Sequence, residues 1–318
     1  MKKNTIIILA FLMSCFAYNA LYAEDASFTE FEVFSVPESP AFLLLDPGDS
    51  VVLKPTTVRE FTIQAAKLLN ADKPGIFAAE FSPGLLFGGN KDDKFFNHLR
   101  ISLAGENAFV DGGSNLGLVS GALGIRYSFD KKNPVTKAAE FDKEFSEDDN
   151  KKKGKKVFLK EKKDKLIGQW AENATDIGIA ILGNSTTGTV DKLTYSKFGV
   201  WVSHAQKLPS SKHFKSQIII TGYASLEETK VSGVLDAEQK IALRPQFGSN
   251  ERKLFLEFDL NYASTTGRLS MIGLIGGEFN LGEKDNKNAW VEMYFGGRSV
   301  SGSADIEYIA DLHIKYAL

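Results

Sequence analysis

A histidine and an aspartate near the carboxyl end of the chain have the types and spacing for acid–base chemistry. Asp311 and His313 are two residues apart, and side chains at that spacing point to the same side of a β-strand. An imidazole beside a carboxylate can act as a general acid or base. Glu307 and Lys315 share that face, so a polar network without catalysis is the favoured interpretation.

No nucleophile accompanies this pair. Ser203 and His204 are sequence neighbours, so on a strand they point to opposite faces and cannot act together. The sequence also lacks the GxSxG, HExxH and P-loop motifs. We therefore expect no catalytic residue, cofactor or metal, and keep Asp311 and His313 as the only catalytic candidates of a chain that is more simply explained as a non-enzyme.

The residues around this pair alternate between apolar and polar over 305–318. The apolar set is Ile306, Tyr308, Ala310, Leu312, Ile314, Tyr316 and Leu318. Strands of globular proteins usually have about five or six residues, whereas membrane-spanning strands have roughly 9–11. The length of this pattern favours a membrane strand.

The same alternation recurs along the chain between turn residues. It predicts ten strands, at 76–87, 95–104, 116–129, 198–205, 214–226, 240–247, 254–262, 269–281, 290–295 and 306–318. A strand at 176–182 and one more would make twelve, and single-chain bacterial barrels have even strand numbers. The pattern predicts an all-β fold, a single antiparallel transmembrane β-barrel of ten to twelve strands.

Acidic residues collect on the face that would line the lumen of this barrel. They are Glu257, Asp259, Glu278, Glu292, Asp305, Glu307 and Asp311. An open lumen with Lys253, Arg298 and Lys315 as its few cations would favour cations. A narrow barrel whose charges pair with one another is favoured here, because open aqueous pores typically need about sixteen strands.

The first residues have the form of an export signal. Lys2 and Lys3 precede an apolar run at 5–16, which is shorter than the roughly 20 residues of a membrane-spanning helix. Cleavage is expected after Ala23, giving a signal peptide over 1–23. Residues 12–15, Leu-Met-Ser-Cys, resemble a lipobox and leave a lipid-modified Cys15 as the alternative.

Composition excludes several classes of protein. Cys15 is the only cysteine, so cleavage after Ala23 leaves no disulfide framework and no cysteine metal site. The formal net charge is −2, and nucleic-acid binding normally needs a basic patch or stripe. We therefore expect no nucleic-acid partner.

Two segments fall outside the strand pattern. Residues 24–74 are expected to hold one helix near 57–70, from helically spaced apolar residues after Thr57, and to act as a plug or lie at the periplasmic rim. Residues 131–191 are a charged insertion, with acidic and lysine blocks between 142 and 165 that are expected to be solvated. If Ile76 starts the first upward strand, this loop lies outside the cell.

Two resemblances to bacterial outer-membrane barrels complete the sequence analysis. Residues 39–44 and 51–57, Ser-Pro-Ala-Phe-Leu-Leu and Val-Val-Leu-Lys-Pro-Thr-Thr, resemble a segment of uncharacterised members of that class. The carboxyl-terminal strand, with Tyr316 and Leu318, resembles their sorting signal. These resemblances imply export to a bacterial outer membrane, with lipid and the barrel-assembly machinery as partners.

The function expected from this reasoning is a structural, binding or narrow-transport role with an unknown substrate. Two alternatives stay open. One is an envelope hydrolase of the kind represented by the outer-membrane phospholipases and proteases. The other is a soluble periplasmic β-rich protein that binds lipid.

Overall fold

Twelve antiparallel strands close into a single barrel in the computed structural model of the chain. The structure describes residues 38–45, 50–55, 61–66, 75–86, 95–109, 116–129, 173–185, 192–209, 215–228, 235–249, 252–264, 266–281 and 289–317. The strands are β1 Phe61–Ala66, β2 Ile76–Phe81, β3 Leu99–Phe109, β4 Leu116–Ser128, β5 Asn173–Ser185, β6 Thr194–Lys207, β7 Lys215–Glu228, β8 Leu235–Gly248, β9 Arg252–Ala263, β10 Arg268–Asn280, β11 Ala289–Val300 and β12 Ile306–Ala317. Each strand pairs with the next, and β1 pairs with β12. The predicted all-β barrel is confirmed.

Alternating residues give the barrel an apolar outside and a polar inside. On β9, Leu254, Phe258 and Leu260 are exposed on the outer surface, whereas Glu257 and Asp259 between them are buried. The predicted faces of this strand are therefore the observed ones. An outer surface of this kind, repeated around the barrel, matches the band that faces lipid in transmembrane barrels. No helix within the described part of the chain is long and apolar enough to cross a bilayer.

The helix predicted near 57–70 is wrong over residues 61–66, which form β1. Phe61–Ala66 pairs with β2 on one side and with β12 on the other, with Ile63 opposite Tyr316. Without β1, the edges of β2 and β12 would keep unpaired peptide groups, which are costly in hydrocarbon. Closure of the sheet therefore outweighs the local helical spacing, and the barrel begins at Phe61 rather than at residue 75.

The predicted insertion at 131–191 is wrong at its carboxyl end, because β5 lies inside it and pairs with β4 and β6. The extra strand β1 also changes the expected position of the long connection between β4 and β5. β4 ends, and β5 begins, at the same end of the barrel as the start of β1 and the end of β12. The strands that flank this connection therefore meet it at the end of the barrel where β1 begins and β12 ends.

The predicted strand at 76–87 is shorter than expected. It ends at Phe81, and Pro83–Leu86 forms a short helix, because proline cannot donate to a strand ladder but fits the first turn of a helix. Several other predictions lie outside the described residues. They are the signal peptide at 1–23, the alternative at Cys15, the charge blocks at 142–165 and the terminal Leu318.

Residues 38–45 and 50–55 of the amino-terminal segment lie inside the barrel. Its helix α1 is Pro40–Leu44, where Ser39 is the N-cap and its side chain accepts a hydrogen bond from the Phe42 amide at 3.3 Å. A serine followed by proline is a strong helix-start signal. Residues 38–45 and 51–55 are buried, and α1 packs against strands β2 to β6. We call residues 38–45 and 50–55 the plug, and the inward-facing residues of the strands the wall.

Candidate functional site

One side of the plug is apolar and meets an apolar part of the wall. Phe42, Leu44 and Leu53 are almost fully buried in one cluster with Trp201 and Ile219. The interior of a transmembrane barrel is normally polar, and burial of a large apolar side chain stabilises a fold by about 1.5–3 kcal/mol. The plug therefore covers an apolar part of the wall that would otherwise be exposed to the lumen.

Three glycines on neighbouring strands make room for the plug. They are Gly124 on β4, Gly178 on β5 and Gly199 on β6. A Cβ atom added at Gly124 would lie 2.7 Å from the Ala41 amide nitrogen, and one at Gly178 would lie 3.0 Å from side-chain atoms of Pro40 and Leu53. A side chain at Gly124 would therefore displace the plug backbone, whereas the space at Gly178 admits a small side chain after a slight shift of the plug. We call these three residues the glycine cradle.

One buried arginine, Arg126, holds the plug by its backbone, and a second, Arg100, shares its carboxylate partner. Arg126 donates hydrogen bonds to the carbonyl oxygens of Glu38, at 3.2 Å, and of Lys54. Its Nε atom donates to Asp176 at 2.5 Å, and Arg100 donates to the same carboxylate oxygen at 2.9 Å. Asp176 thus compensates two guanidinium groups that are out of contact with water, and orients one of them toward the plug.

The opposite side of the plug forms ion pairs with the wall. The ammonium group of Lys54 donates to Glu292 at 2.6 Å and also to Glu278, and all three side chains are at most 3% exposed. Arg244 donates to the same two carboxylates, at 2.6 Å and 3.1 Å. Lys315 pairs with Glu292 and with Glu38. The charged residues of β8 to β12 therefore form one network that includes two plug residues.

The candidate acid–base pair belongs to this network. The Nε2 atom of His313 lies 3.3 Å from a carboxylate oxygen of Asp311, and its Nδ1 atom lies 3.5 Å from Glu38. The ring packs edge-on against Phe42 and Tyr294. The plug thus covers the imidazole, and among the described residues no serine, threonine or cysteine is hydrogen-bonded to it.

The acidic residues predicted to line the lumen occupy two environments. Glu257, Asp259, Glu278 and Glu292 are buried inside the barrel, and Asp311 is half-buried. Asp305 is exposed and precedes β12, and Glu307 lies at the rim, where it pairs with Arg298 at 3.4 Å. Asp305 is therefore not part of the wall, because the strand begins one residue after it. Tyr316 lies on β12 between β1 and β11.

Glu38, Glu292 and His313 bring their ligand atoms within 4.8 Å of one another, a spacing that could hold a metal ion. Lys315 pairs with both of these carboxylates, and Lys54 lies 2.6 Å from Glu292 and 3.5 Å from Glu38. Two ammonium groups already compensate the acidic charge, so these contacts argue against a divalent cation in the same place.

Glu38 gives the network a measurable dependence on pH. Burial and the nearby Glu292 favour its neutral form, but Lys315, Lys54 and His313 outweigh them and lower the pKa of Glu38 below its usual value of 4.5. A carboxyl with a lowered pKa stabilises the fold above its unfolded value and loses that contribution as the pH falls through the folded pKa. The plug should therefore loosen in acid.

We expect Glu38→Gln to reduce the acid sensitivity of the barrel. The wild-type protein should lose stability as the pH falls below 4.5, and the variant should lose less, since its amide does not titrate. Thermal unfolding in detergent, followed by gel migration between pH 7 and pH 3, measures the difference. Glu307→Gln, at a side chain that is 65% exposed, is the control and should keep the wild-type pH profile. Equal profiles for Glu38→Gln and wild type would contradict the assignment.

Sequence reasoning missed the plug contacts of Glu38, Lys54, Arg126 and Arg244, and missed the glycine cradle. Arg126 and Asp176 stand at inward positions of their strands, so the alternation of β4 and β5 could have indicated that they are buried. The sequence could not indicate the partners of Glu38 and Lys54. The alternation within a strand predicts which side chains face inward, but it does not predict which of them a plug residue contacts.

Comparisons with known proteins give similarity of architecture only. No protein-family model and no curated protein matches the chain. Among solved structures, an outer membrane channel from Pseudomonas putida F1 is 9% identical with a TM-score of 0.44, covering 86% of this chain and 99% of that one. The KdgM porin is 6% identical with a TM-score of 0.41, and the NanC porin 7% with 0.40, each covering 81% of this chain and 98% of its own. The barrel assignment itself rests on the closed strand order of this chain.

Proposed function

We propose that this chain is an outer-membrane barrel with a narrow-transport role, in which the plug is a gate rather than a permanent seal. The proposal rests on one observation, that the interface between plug and wall combines apolar contacts with buried ion pairs. One side is apolar, and the other depends on the ion pairs of Lys54 and Glu38 with the wall. This proposal includes export by way of a signal peptide cleaved near Ala23, with lipid and the barrel-assembly machinery as partners.

The buried ion pairs favour a gate for an energetic reason. Removing charges from water costs several kcal/mol per ion, and their mutual attraction returns little more than this cost, so an apolar interface of the same volume is often as stable or more stable. A permanent seal could be built at least as stably from apolar side chains. A gate gains from charges, because water and ions can replace the partners of Lys54, Glu278 and Glu292 when the plug moves.

The hydrolase alternative has less support. His313 and Asp311 form a pair, but Glu38, Phe42 and Tyr294 enclose the imidazole. A substrate would have to displace the plug before reaching it. The lipid-carrier alternative needs apolar residues that line an open inner cavity, whereas Trp201 and Ile219, the inward apolar residues beside the plug, are already covered by Phe42, Leu44 and Leu53.

A disulfide between plug and wall tests the gate directly. The Cβ atom of Pro40 lies 3.5 Å from the position of a Cβ atom at Gly178, which is within the range of natural disulfides. The double variant Pro40→Cys/Gly178→Cys, expressed with its signal peptide, would have no competing thiol after removal of residues 1–23, since Cys15 is the only native cysteine. Oxidised protein in planar bilayers should stay closed, and reduction should restore channel openings.

The single variants Pro40→Cys and Gly178→Cys are the controls, and neither should respond to reductant. Gel migration with and without heating checks that each variant is a folded barrel. Identical conductance of the double variant before and after reduction, with the disulfide shown by mass spectrometry, would mean that the plug does not control passage.

A further inference from the structure

Two buried wall side chains bind the plug through its main chain. The amide of Ser39 donates a hydrogen bond to the side-chain oxygen of Gln64 at 3.0 Å. The amide of Ala41 donates to the hydroxyl oxygen of Ser102 at 3.3 Å. Gln64 and Ser102 are each only 1% exposed. Because every residue except proline carries an amide donor, these contacts do not depend on the side chains of the plug.

The wall fits the plug main chain at two further points. Arg126 donates to the carbonyl oxygen of Glu38 at 3.2 Å. Gly124 lies against the main chain of the plug, because a Cβ atom added there would be 2.7 Å from the Ala41 nitrogen. A glycine within a strand often marks such a close approach of another backbone. The wall thus provides two acceptors, one donor and a space without a side chain, all directed at peptide groups.

The apolar contacts beside these peptide groups depend on size more than on identity. Phe42 and Leu44 are at most 2% exposed and pack in one cluster with Trp201 and Ile219, and apolar side chains of similar volume can usually replace one another. The Nε1 atom of Trp201 is fully buried without a hydrogen-bond acceptor among the described residues, although a buried indole N–H usually has one. The plug therefore does not satisfy every group that it covers.

We call six of these wall residues the seat. They are Gln64, Ser102, Gly124, Arg126, Trp201 and Ile219.

We propose that the seat is a binding site for peptides with large apolar side chains, and that such a peptide takes the place of the plug. This inference rests on the proposed gate and names the class of solute. Hydrogen bonds to the main chain give affinity for any peptide, and the apolar contacts select the side chains. The plug belongs to the same chain as the seat, so it competes at an effective concentration on the order of millimolar.

Disulfide trapping tests the site without any channel measurement. Gly178→Cys gives the mature barrel a single thiol, since Cys15 is the only native cysteine. The probe is an acetylated and amidated octapeptide of residues 38–45 that carries Pro40→Cys. In the seat its thiol would face Gly178, because the Pro40 Cβ atom lies 3.5 Å from a Cβ atom at that position. Mass spectrometry of the folded barrel measures the adduct.

Gly273→Cys is the matched control, because its thiol lies on the outer face and meets only detergent-bound peptide. It should form at least about tenfold less adduct than Gly178→Cys, which corresponds to 1.4 kcal/mol of binding. Heat-modifiable migration checks that both variants are folded barrels.

Two further octapeptides test the apolar selection. A peptide with Leu43→Met, Leu44→Met and Leu45→Met should be trapped within about tenfold of the first, because such swaps conserve volume. A peptide with these leucines and Phe42 all changed to serine should be trapped at least about a hundredfold less, since it loses four apolar side chains.

A methyl group on the amide nitrogen of Ala41 tests the main-chain contacts. It removes the donor to Ser102, and the loss of one hydrogen bond should reduce trapping by at least about fivefold. A peptide that only adsorbs to an apolar surface would be trapped equally with and without this methyl group, and that result would overturn the site.

Leu44→Asp/Gly178→Cys exposes the seat independently of the gate. Leu44 is 2% exposed in an apolar cluster, and a carboxylate there is costly, so the plug should leave while the seat keeps its residues. Trapping in this variant but not in Gly178→Cys alone contradicts the gate and supports the peptide site. Adduct no greater than that of Gly273→Cys in both variants overturns the peptide site, even where the gate conducts.

If Leu44→Asp/Gly178→Cys does not fold, refolding replaces it as the decisive measurement. Gly178→Cys is refolded from urea into detergent with excess octapeptide, so that peptide and plug compete before the seat is filled. A disulfide in the folded barrel supports the site. A folded barrel without the disulfide overturns it.

Discussion

Replacing Gly124 with leucine should expel the plug and convert a closed barrel into a conducting one. A Cβ atom at this position would lie 2.6 Å from the Ser102 Oγ atom, whose side chain can rotate away, 2.7 Å from the Ala41 nitrogen and 3.1 Å from the Pro40 Cβ atom, and leucine adds three further carbon atoms. The wall of β4 is held by pairing with β3 and β5 over its length, so the plug is the part that moves. In planar bilayers, the open probability of Gly124→Leu should be at least about tenfold that of wild type.

Gly273→Leu is the control for the general effect of placing leucine on a strand. Gly273 lies on the outer face of β10, and a Cβ atom added there meets no atom within 4 Å. This variant should conduct as rarely as wild type and keep its heat-modifiable migration. A folded Gly124→Leu barrel that stays closed would mean that the wall yields instead of the plug, or that the plug has a second seat in the lumen.

The sequence predicted the late strands because their alternation is strict. Leu254, Phe258 and Leu260 face out and Glu257 and Asp259 face in, and a period of two residues is visible without any knowledge of neighbours. β1 was missed for the opposite reason. Phe61–Ala66 is short, and both of its faces are largely buried, so its state depends on β2 and β12, which close the barrel around it.

The sequence allowed the prediction that an amino-terminal segment could plug the barrel, but it did not show which wall residues that segment contacts. Ser39 and Pro40 carry a helix-start signal that sequence alone provides. The match between Lys54 and Glu278 joins residues 224 positions apart, and such a contact depends on how far the plug enters the lumen. The glycine cradle is equally hidden, because strand glycines have several explanations until the atoms above them are known.

Replacing Asp176 with asparagine should cost the barrel about 3–5 kcal/mol of unfolding free energy, the range found when one partner of a buried ion pair is removed. The carboxylate accepts from Arg100 at 2.9 Å and from Arg126 at 2.5 Å, and its side chain is fully buried. Asparagine keeps the shape but removes the charge, so two guanidinium groups stay buried with Glu80, 3.7 Å from Arg100, as the nearest remaining carboxylate.

The same substitution should also loosen the plug, which distinguishes it from ordinary destabilisation. Arg126 donates to the carbonyl oxygens of Glu38 and Lys54 while its Nε atom donates to Asp176, so removal of the carboxylate charge should release the guanidinium from this orientation. Urea unfolding in lipid vesicles gives the free energy, and bilayer conductance reports the plug. Asp305→Asn, at an exposed aspartate outside the strands, should change stability by no more than about 0.5 kcal/mol. If Asp176→Asn lowers stability without any rise in open probability, Arg126 supports the wall alone, and the plug depends on the charges around Lys54.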